Sequence, residues 1–306
     1  MALKHIKLKI YSIRKTATVT RAMEAVSAVK MRKSQERAFS GRAYAAAGLS
    51  ILERLAGSTD AGSHPMMNER IGKTCVVLVT SDKGLAGSLN SGVIRKAEQY
   101  ITSHALAKSD VRIIAIGRRG GDYFASRSYE LAMKQTNVGD GVSEEELRSI
   151  TDKVSTWHEA GEIGSCIVVY QNFLSTFEQK PEVRQIIPIT KDAIREIVTG
   201  IRPAKGRYSP PQKHREHEAS PAAYTIEPDT ESVLSALLPR LINLAVFHAL
   251  LEAKASEHSA RMVAMKSATD KAKEMAQDLT RTFNKVRQAA ITREVSEITS
   301  GIEAMK

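Results

Sequence analysis

The chain has 306 residues, a mass of 33.5 kDa and a net charge of +11, and its length predicts about two domains. Only 5% of its residues are aromatic although 42% are hydrophobic, a balance typical of long helices packed through narrow seams. Its two cysteines, Cys75 and Cys166, exclude a disulfide scaffold and a cysteine zinc site, and no uncharged apolar run reaches the roughly 18 residues of a membrane span.

Residues 1–56 predict a long N-terminal helix, because they contain no proline. Apolar residues recur at helical spacing along it: Ile6, Ile10, Ile13 and Ala17, followed after a small phase shift by Met23, Val26 and Val29. Residues 1–42 carry eleven Lys or Arg and two Glu, a net charge of +9. Such a charge fits either a solvated helix face or an interface with an acidic partner.

Residues 73–199, after a linker at 57–72, predict an α/β domain. Its candidate strands are the Val- and Ile-rich runs 75–80, 111–116 and 166–170, with a fourth at 183–189 that Pro188 would restrict to a sheet edge. Helix-compatible segments near 90–106 and 143–160 alternate with these runs. Buried strands alternating with helices indicate a mainly parallel sheet.

Residues 229–306 predict a second long helix, which follows a basic, proline-containing loop at 200–228. Pro239 should kink this helix or delay its start. His248 and His258 lie ten residues apart in its apolar seam, so we expect packed, hydrogen-bonded histidines rather than metal ligands. The apolar seam repeats every 3.5 residues, as in a coiled coil, and a second stripe follows it: Ile291, Val295, Ile298 and Ile302. Two long helices, each with an apolar stripe, are expected to pair antiparallel.

No active site is predicted. The loop Thr80–Asn90 follows a strand and precedes a helix, where a phosphate-binding loop would lie, but it lacks both glycine-rich phosphate motifs. The loop Gly117–Gly121 lacks them as well. Two rival hypotheses remain at this point, a nucleic-acid-binding coiled-coil protein, suggested by the pI of 9.6, and a nucleotide-dependent enzyme.

Four segments, in order along essentially the whole chain, resemble the gamma subunit of the rotary ATP synthase. They are the basic run Ile6–Lys33, the loop Ser81-Asp-Lys-Gly-Leu-Ala-Gly-Ser-Leu-Asn90, Glu227-Pro-Asp229, and Ala260-Arg-Met-Val-Ala-Met-Lys-Ser-Ala-Thr-Asp270 with the run Asn284–Gly301 behind it. The resemblance implies a central rotor shaft whose end helices pass through a ring of alpha and beta subunits, while the α/β domain docks on the epsilon subunit and the c-ring. Proton flow would turn this shaft and drive the beta-subunit catalytic sites.

The resemblance also implies the contact residues. Those facing the alpha and beta ring would be Met23, Arg21, Lys30, Arg287, Gln288, Thr292 and Glu294, and those facing epsilon or the c-ring would be Glu227 and Tyr224. The chain itself would hold no cofactor, metal or catalytic residue, because ATP, ADP and magnesium act on the alpha and beta subunits. No nucleic acid partner is then expected.

The resemblance places the protein at the cytoplasmic face of a cell membrane, as a peripheral subunit. The absence of a visible transit peptide favours a bacterial source. Ala86 and Ser88 depart from the Cys and Gly common in the family's central loop, and Ile302 replaces a usual Ala. No close cysteine pair is present, so the thiol switch of chloroplast members is not expected.

Overall fold

The computed structural model describes residues 2–40, 64–68, 70–189, 227 and 229–305. Contacts divide the chain into two compact units. One contains Met1–Ala28 and Arg261–Lys306, and the other contains Val29–Ala260. We call the first the helix-pair unit and the second the sheet unit. The predicted loop at 200–228 lies almost entirely outside the described residues.

A mainly parallel sheet organises the sheet unit, as predicted. Within the described residues its five strands run in the order β3-β2-β1-β4-β5, and β5 alone is antiparallel. The bounds are β1 Lys73–Val79, β2 Val111–Ile116, β3 Glu130–Gln135, β4 Ile163–Phe173 and β5 Gln179–Ile187. The fourth predicted strand is thus confirmed as an edge strand, and it ends just before Pro188.

Helices cover both faces of this sheet. The described helices are α1 Ala2–Ser40, α2 Leu89–Ser103, α3 Arg118–Ala125, α4 Glu144–Glu159 and α5 Thr230–Ala304. Side chains alternate along β1, so Cys75, Val77 and Val79 pack with α4 and α5 while Val76 and Leu78 pack with α2 and α3. The domain is therefore a three-layer α/β sandwich, and α5 forms part of one layer.

Two elements were missed by the sequence patterns. Strand β3 reads Glu-Leu-Ala-Met-Lys-Gln and is only partly buried, so it has no continuous apolar run. Helix α3 begins in the segment read as the loop Gly117–Gly121. Its sequence contains two adjacent glycines, which disfavour a helix, but contacts to neighbouring loops hold its first turn in place.

The two cysteines are closer than their sequence separation suggests. Cys75 and Cys166 are register partners on the adjacent strands β1 and β4, and both are fully buried. The two cysteines are thus far apart in sequence but adjacent in the sheet. Both are free thiols and pack as buried small hydrophobic residues.

The N-terminal part of α5 lies in the protein core. Leu234, Leu238 and Ile242 pack against the sheet, and the helix runs from 230 through Pro239 without a delayed start. Among the described residues, α5 is the one helix with an 18-residue window apolar enough to cross a membrane, with a mean hydropathy of 1.7. Since 61% of that window is buried inside the protein, core packing accounts for its composition.

The inward face of α1 differs from its predicted apolar stripe. Val26 and Val29 are each more than half exposed. Ile10 and Met31 are buried, but the other buried positions are small polar residues, namely Thr20, Ser27 and Ser34. The Thr20 hydroxyl lies 2.6 Å from that of Thr269 on α5. Ser27 donates a hydrogen bond to its own helix at the Met23 carbonyl. Hydroxyls that bond locally fit a close helix seam, which an apolarity pattern does not detect.

Candidate functional site

The C-terminal end of α5 presents an apolar stripe to solvent. Ile291, Val295, Ile298 and Ile302 are each more than half exposed. At about 100° per residue, the four side chains point within roughly 60° of one another. The second stripe predicted from the sequence is therefore a surface, which we call the exposed stripe. A row of large exposed apolar side chains on one helix face is typical of an interaction surface.

The four predicted contact residues on α5 border the exposed stripe. The same helical geometry places Arg287 and Glu294 along one side of it and Gln288 and Thr292 along the other. All four are exposed. The Thr292 hydroxyl donates to the Gln288 carbonyl at 2.9 Å, so it is held close to the helix surface. The site thus has an apolar centre and polar margins, the composition typical of protein interfaces.

The predicted contact residues on α1 divide between the two units. Met23 is half-buried and Arg21 is exposed, both in the helix-pair unit. Lys30 belongs to the sheet unit, where its ammonium group forms an ion pair with Asp140 at 2.7 Å. No local pattern predicts this intramolecular partner, because Asp140 lies between two glycines in a loop far from Lys30 along the chain.

Of the two residues predicted to face epsilon or the c-ring, Glu227 is exposed. Tyr224 lies outside the described residues.

The two histidines of the α5 seam are buried, as predicted. His258 Nε2 lies 2.7 Å from Asp140 Oδ1, and His248 packs edge-on against the ring of Phe247. Among the described residues, no group of three or more His, Cys, Asp or Glu is placed to hold a metal ion.

The carboxyl end of the sheet, where α/β proteins bind nucleotides, is closed by the chain's own side chains. The Asp82 carboxylate accepts from the backbone N–H of Arg118 at 3.0 Å and from that of Asn137 at 2.9 Å. The Thr80 hydroxyl accepts from Gly120 N–H, and the Ser81 N–H donates to Asn90. Since Asp82 stands at the start of α3, it occupies the position that a phosphate would take. The structure therefore favours a structural turn over a nucleotide site.

Comparison with known proteins identifies the family. A family model described as ATP synthase matches residues 2–305. The chain is 37% identical to the ATP synthase gamma chain of Roseiflexus castenholzii and 36% identical to that of Pelotomaculum thermopropionicum. Each alignment covers at least 98% of this chain and of the relative. The chain belongs to the ATP synthase gamma chain family.

Solved structures of distant relatives share this fold. A chain in the central stalk and c-ring structure of the Tetrahymena thermophila mitochondrial ATP synthase has a TM-score of 0.60 and 22% identity, and the match covers 82% of this chain and 99% of that one. A chain of the Euglena gracilis mitochondrial ATP synthase has a TM-score of 0.63 and 17% identity over 99% of this chain. At these identities the likeness establishes the fold, a mixed α/β domain with long terminal helices.

Family membership confirms the function implied by the sequence motifs. This gamma chain is a non-catalytic subunit of ATP synthase, and its role is that of the central rotor shaft. It belongs to a peripheral, membrane-associated sector of that enzyme. The rival hypotheses of a nucleic-acid-binding protein and of a nucleotide-dependent enzyme are not favoured.

Proposed function

We propose that this gamma chain couples proton flow through the membrane sector to ATP synthesis or hydrolysis by rotating inside a ring of alpha and beta subunits. The exposed stripe is the observation that carries the proposal. The four large apolar side chains of the stripe are exposed to water in the chain alone. A surrounding ring of subunits would bury them, which is energetically favourable. An apolar stripe also suits rotation, because apolar contact is non-directional.

The polar margins of the exposed stripe would supply the directional contacts. Arg287 offers a rigid fork of donors that can bind a carboxylate of a beta subunit, and Gln288 and Thr292 add neutral hydrogen-bonding groups. The basic residues of α1, with Met23 and Arg21 on its surface, would face an acidic loop of the ring. These bonds would form and break as the ring passes through its states.

The remaining partners follow from the same role. The α/β domain, near Glu227 and Tyr224, would dock on the epsilon subunit and the c-ring at the cytoplasmic face of a bacterial membrane. ATP, ADP and magnesium would act on the alpha and beta subunits. The closed carboxyl end of the sheet, with Asp82 at the start of α3, supports this division of labour.

The double variant Arg287→Ala with Gln288→Ala tests the assignment in the reconstituted complex. We expect the complex to assemble, with lower ATPase turnover and about tenfold weaker retention of the shaft, because charge-assisted hydrogen bonds are lost. Steady-state hydrolysis and size-exclusion chromatography measure the two effects.

Arg293→Ala is the matched control. Arg293 lies on the opposite side of α5 from the exposed stripe, where it pairs with Glu297 at 2.8 Å. The control removes the same charge and should leave turnover and retention nearly unchanged. Wild-type turnover and retention in the double variant, or equal losses in the control, would contradict the assignment.

A further inference from the structure

The middle of α5 contains a buried polar segment that apolar packing does not explain. Residues 254–259 read Lys-Ala-Ser-Glu-His-Ser, and all six side chains are buried. Polar groups removed from water cost free energy unless they gain partners. The hydrogen-bond partners of these buried groups therefore indicate the role of the segment.

The loop after β3 and the β4–β5 hairpin bind this segment from opposite sides. The Lys254 ammonium donates to the Val138 carbonyl at 2.8 Å, and His258 contacts Asp140, both in the loop after β3. On the other side, Ser256 donates to the Gln171 carbonyl at 3.0 Å. The hydroxyl of Ser259 donates to the Thr176 carbonyl, in the turn between β4 and β5, at 2.5 Å. We call this arrangement the helix clasp.

Asp140 extends the helix clasp to α1. Its carboxylate accepts from Lys30 and from His258, at 2.7 Å each, and its backbone carbonyl accepts from the Arg37 guanidinium at 2.5 Å. One loop residue thus binds both long helices. Burial would raise the pKa of Asp140, but the bonds from Lys30 and His258 outweigh it and lower that pKa to about 2. The carboxylate is therefore ionised at neutral pH, so His258 Nε2 is the donor.

We propose that the helix clasp is the joint through which torque passes between the α/β domain and the two long helices, with Asp140 as its positioning residue. The inference rests on the proposed rotor function. Apolar packing alone resists rotation of a helix weakly, because its contacts are non-directional. Hydrogen bonds on opposite sides of α5, joined through Asp140 to α1, fix the rotational setting of both helices against the sheet.

Asp140→Asn tests the joint in the complete membrane-bound complex. The amide keeps the size of the side chain but removes the charge that holds Lys30 and His258. We expect the number of protons pumped per ATP hydrolysed, measured against an imposed proton gradient, to fall about fivefold, because the charge-assisted bonds weaken. ATPase turnover should fall less, since the exposed stripe and its polar margins on α5 are unchanged. Asp110→Asn, an exposed site with the same charge change, should keep the wild-type ratio.

Each outcome decides the inference. A wild-type pumping ratio in Asp140→Asn under load overturns the helix clasp while the rotor function stands. A wild-type complex that hydrolyses ATP but does not pump removes the proposed function, and the inference with it. If Asp140→Asn does not assemble, His258→Leu replaces it, because it breaks the bond to α5 with an apolar side chain of similar size. A wild-type ratio in that variant also overturns the proposal.

Discussion

The sheet unit and the helix-pair unit treat their apolar side chains in opposite ways. In the sheet unit, strands β1, β2 and β4 are almost completely buried between helices. In the helix-pair unit the seam is narrow, with Ile10, Met265, Ala272 and Ala276 among its buried residues, while large apolar residues such as Val19 and Ile298 face solvent. The sheet unit therefore supplies its own core, whereas the helix-pair unit presents a surface suited to partners.

A matched pair of truncations on α5 sharpens this comparison most strongly. Leu238 is fully buried in the sheet unit, and Ile298 is 65% exposed in the other unit. Leu238→Ala should lower the free energy of unfolding by about 3 kcal/mol, since it removes buried methyl groups and leaves a cavity. Ile298→Ala should change it by less than about 0.5 kcal/mol.

Urea unfolding of the full chain measures both values. Far-ultraviolet circular dichroism reports on both units, and the fluorescence of Trp157, the one tryptophan, reports on the sheet unit. Ile298→Ala should nevertheless weaken retention of the shaft by the alpha and beta ring. Equal destabilisation by the two truncations would break the distinction between the units.

The pH dependence of stability tests the ion pairs of the helix clasp, with a smaller effect. The pKa of Asp140 is lowered from 3.8 to about 2 in the folded chain, because the bonds from Lys30 and His258 outweigh burial. Its stabilisation is thus complete above about pH 5 and is lost progressively as the pH falls through about 2. The shift corresponds to roughly 2 kcal/mol, and to about 1 kcal/mol after discounting for solvent screening.

The measurement compares wild type with Asp140→Asn by urea unfolding between pH 2 and pH 6. Lys30, His258 and Arg37 face Asp140 in both proteins, so the difference between the curves reports the carboxylate together with its effect on these three partners. The wild type should be more stable by about 1 kcal/mol at pH 6, and most of this difference should be lost at pH 2. A difference that is constant across this range would contradict the assignment.

Local patterns in the sequence predicted most of the fold. Strands β1, β2 and β4 are continuous apolar runs, and the heptad spacing of α5 identifies a long helix. Strand β3 was missed because it is only partly buried and contains no continuous run of apolar residues. Its position in the sheet depends on pairing with β2, which its own sequence does not reveal. The apolar pattern of α1 predicts that Val26 and Val29 lie in the helix seam, but both are exposed. Thr20 and Ser27 are buried in the seam instead, and a pattern based on apolar residues does not detect them.

The candidate sites were predictable only where their residues are close together in the sequence. The exposed stripe and its polar margins lie within a few turns of one helix, so spacing alone places Arg287, Gln288 and Ile298 on one surface. The bond between His258 and Asp140 joins residues 118 positions apart, and no local pattern reports such a contact. The proximity of Cys75 to Cys166 likewise depends on the register between two strands.

Hydrogen exchange of the chain, alone and within the assembled complex, tests the central claim most directly. In the free chain, the amides of residues 2–20 and 287–304 should exchange much faster than those of 74–79, because few buried contacts protect them. Assembly with alpha and beta subunits should slow exchange at the helix ends by about 100-fold or more and leave β1 unchanged. Equal protection of the helix ends and β1 in the free chain, or no gain on assembly, would contradict the account.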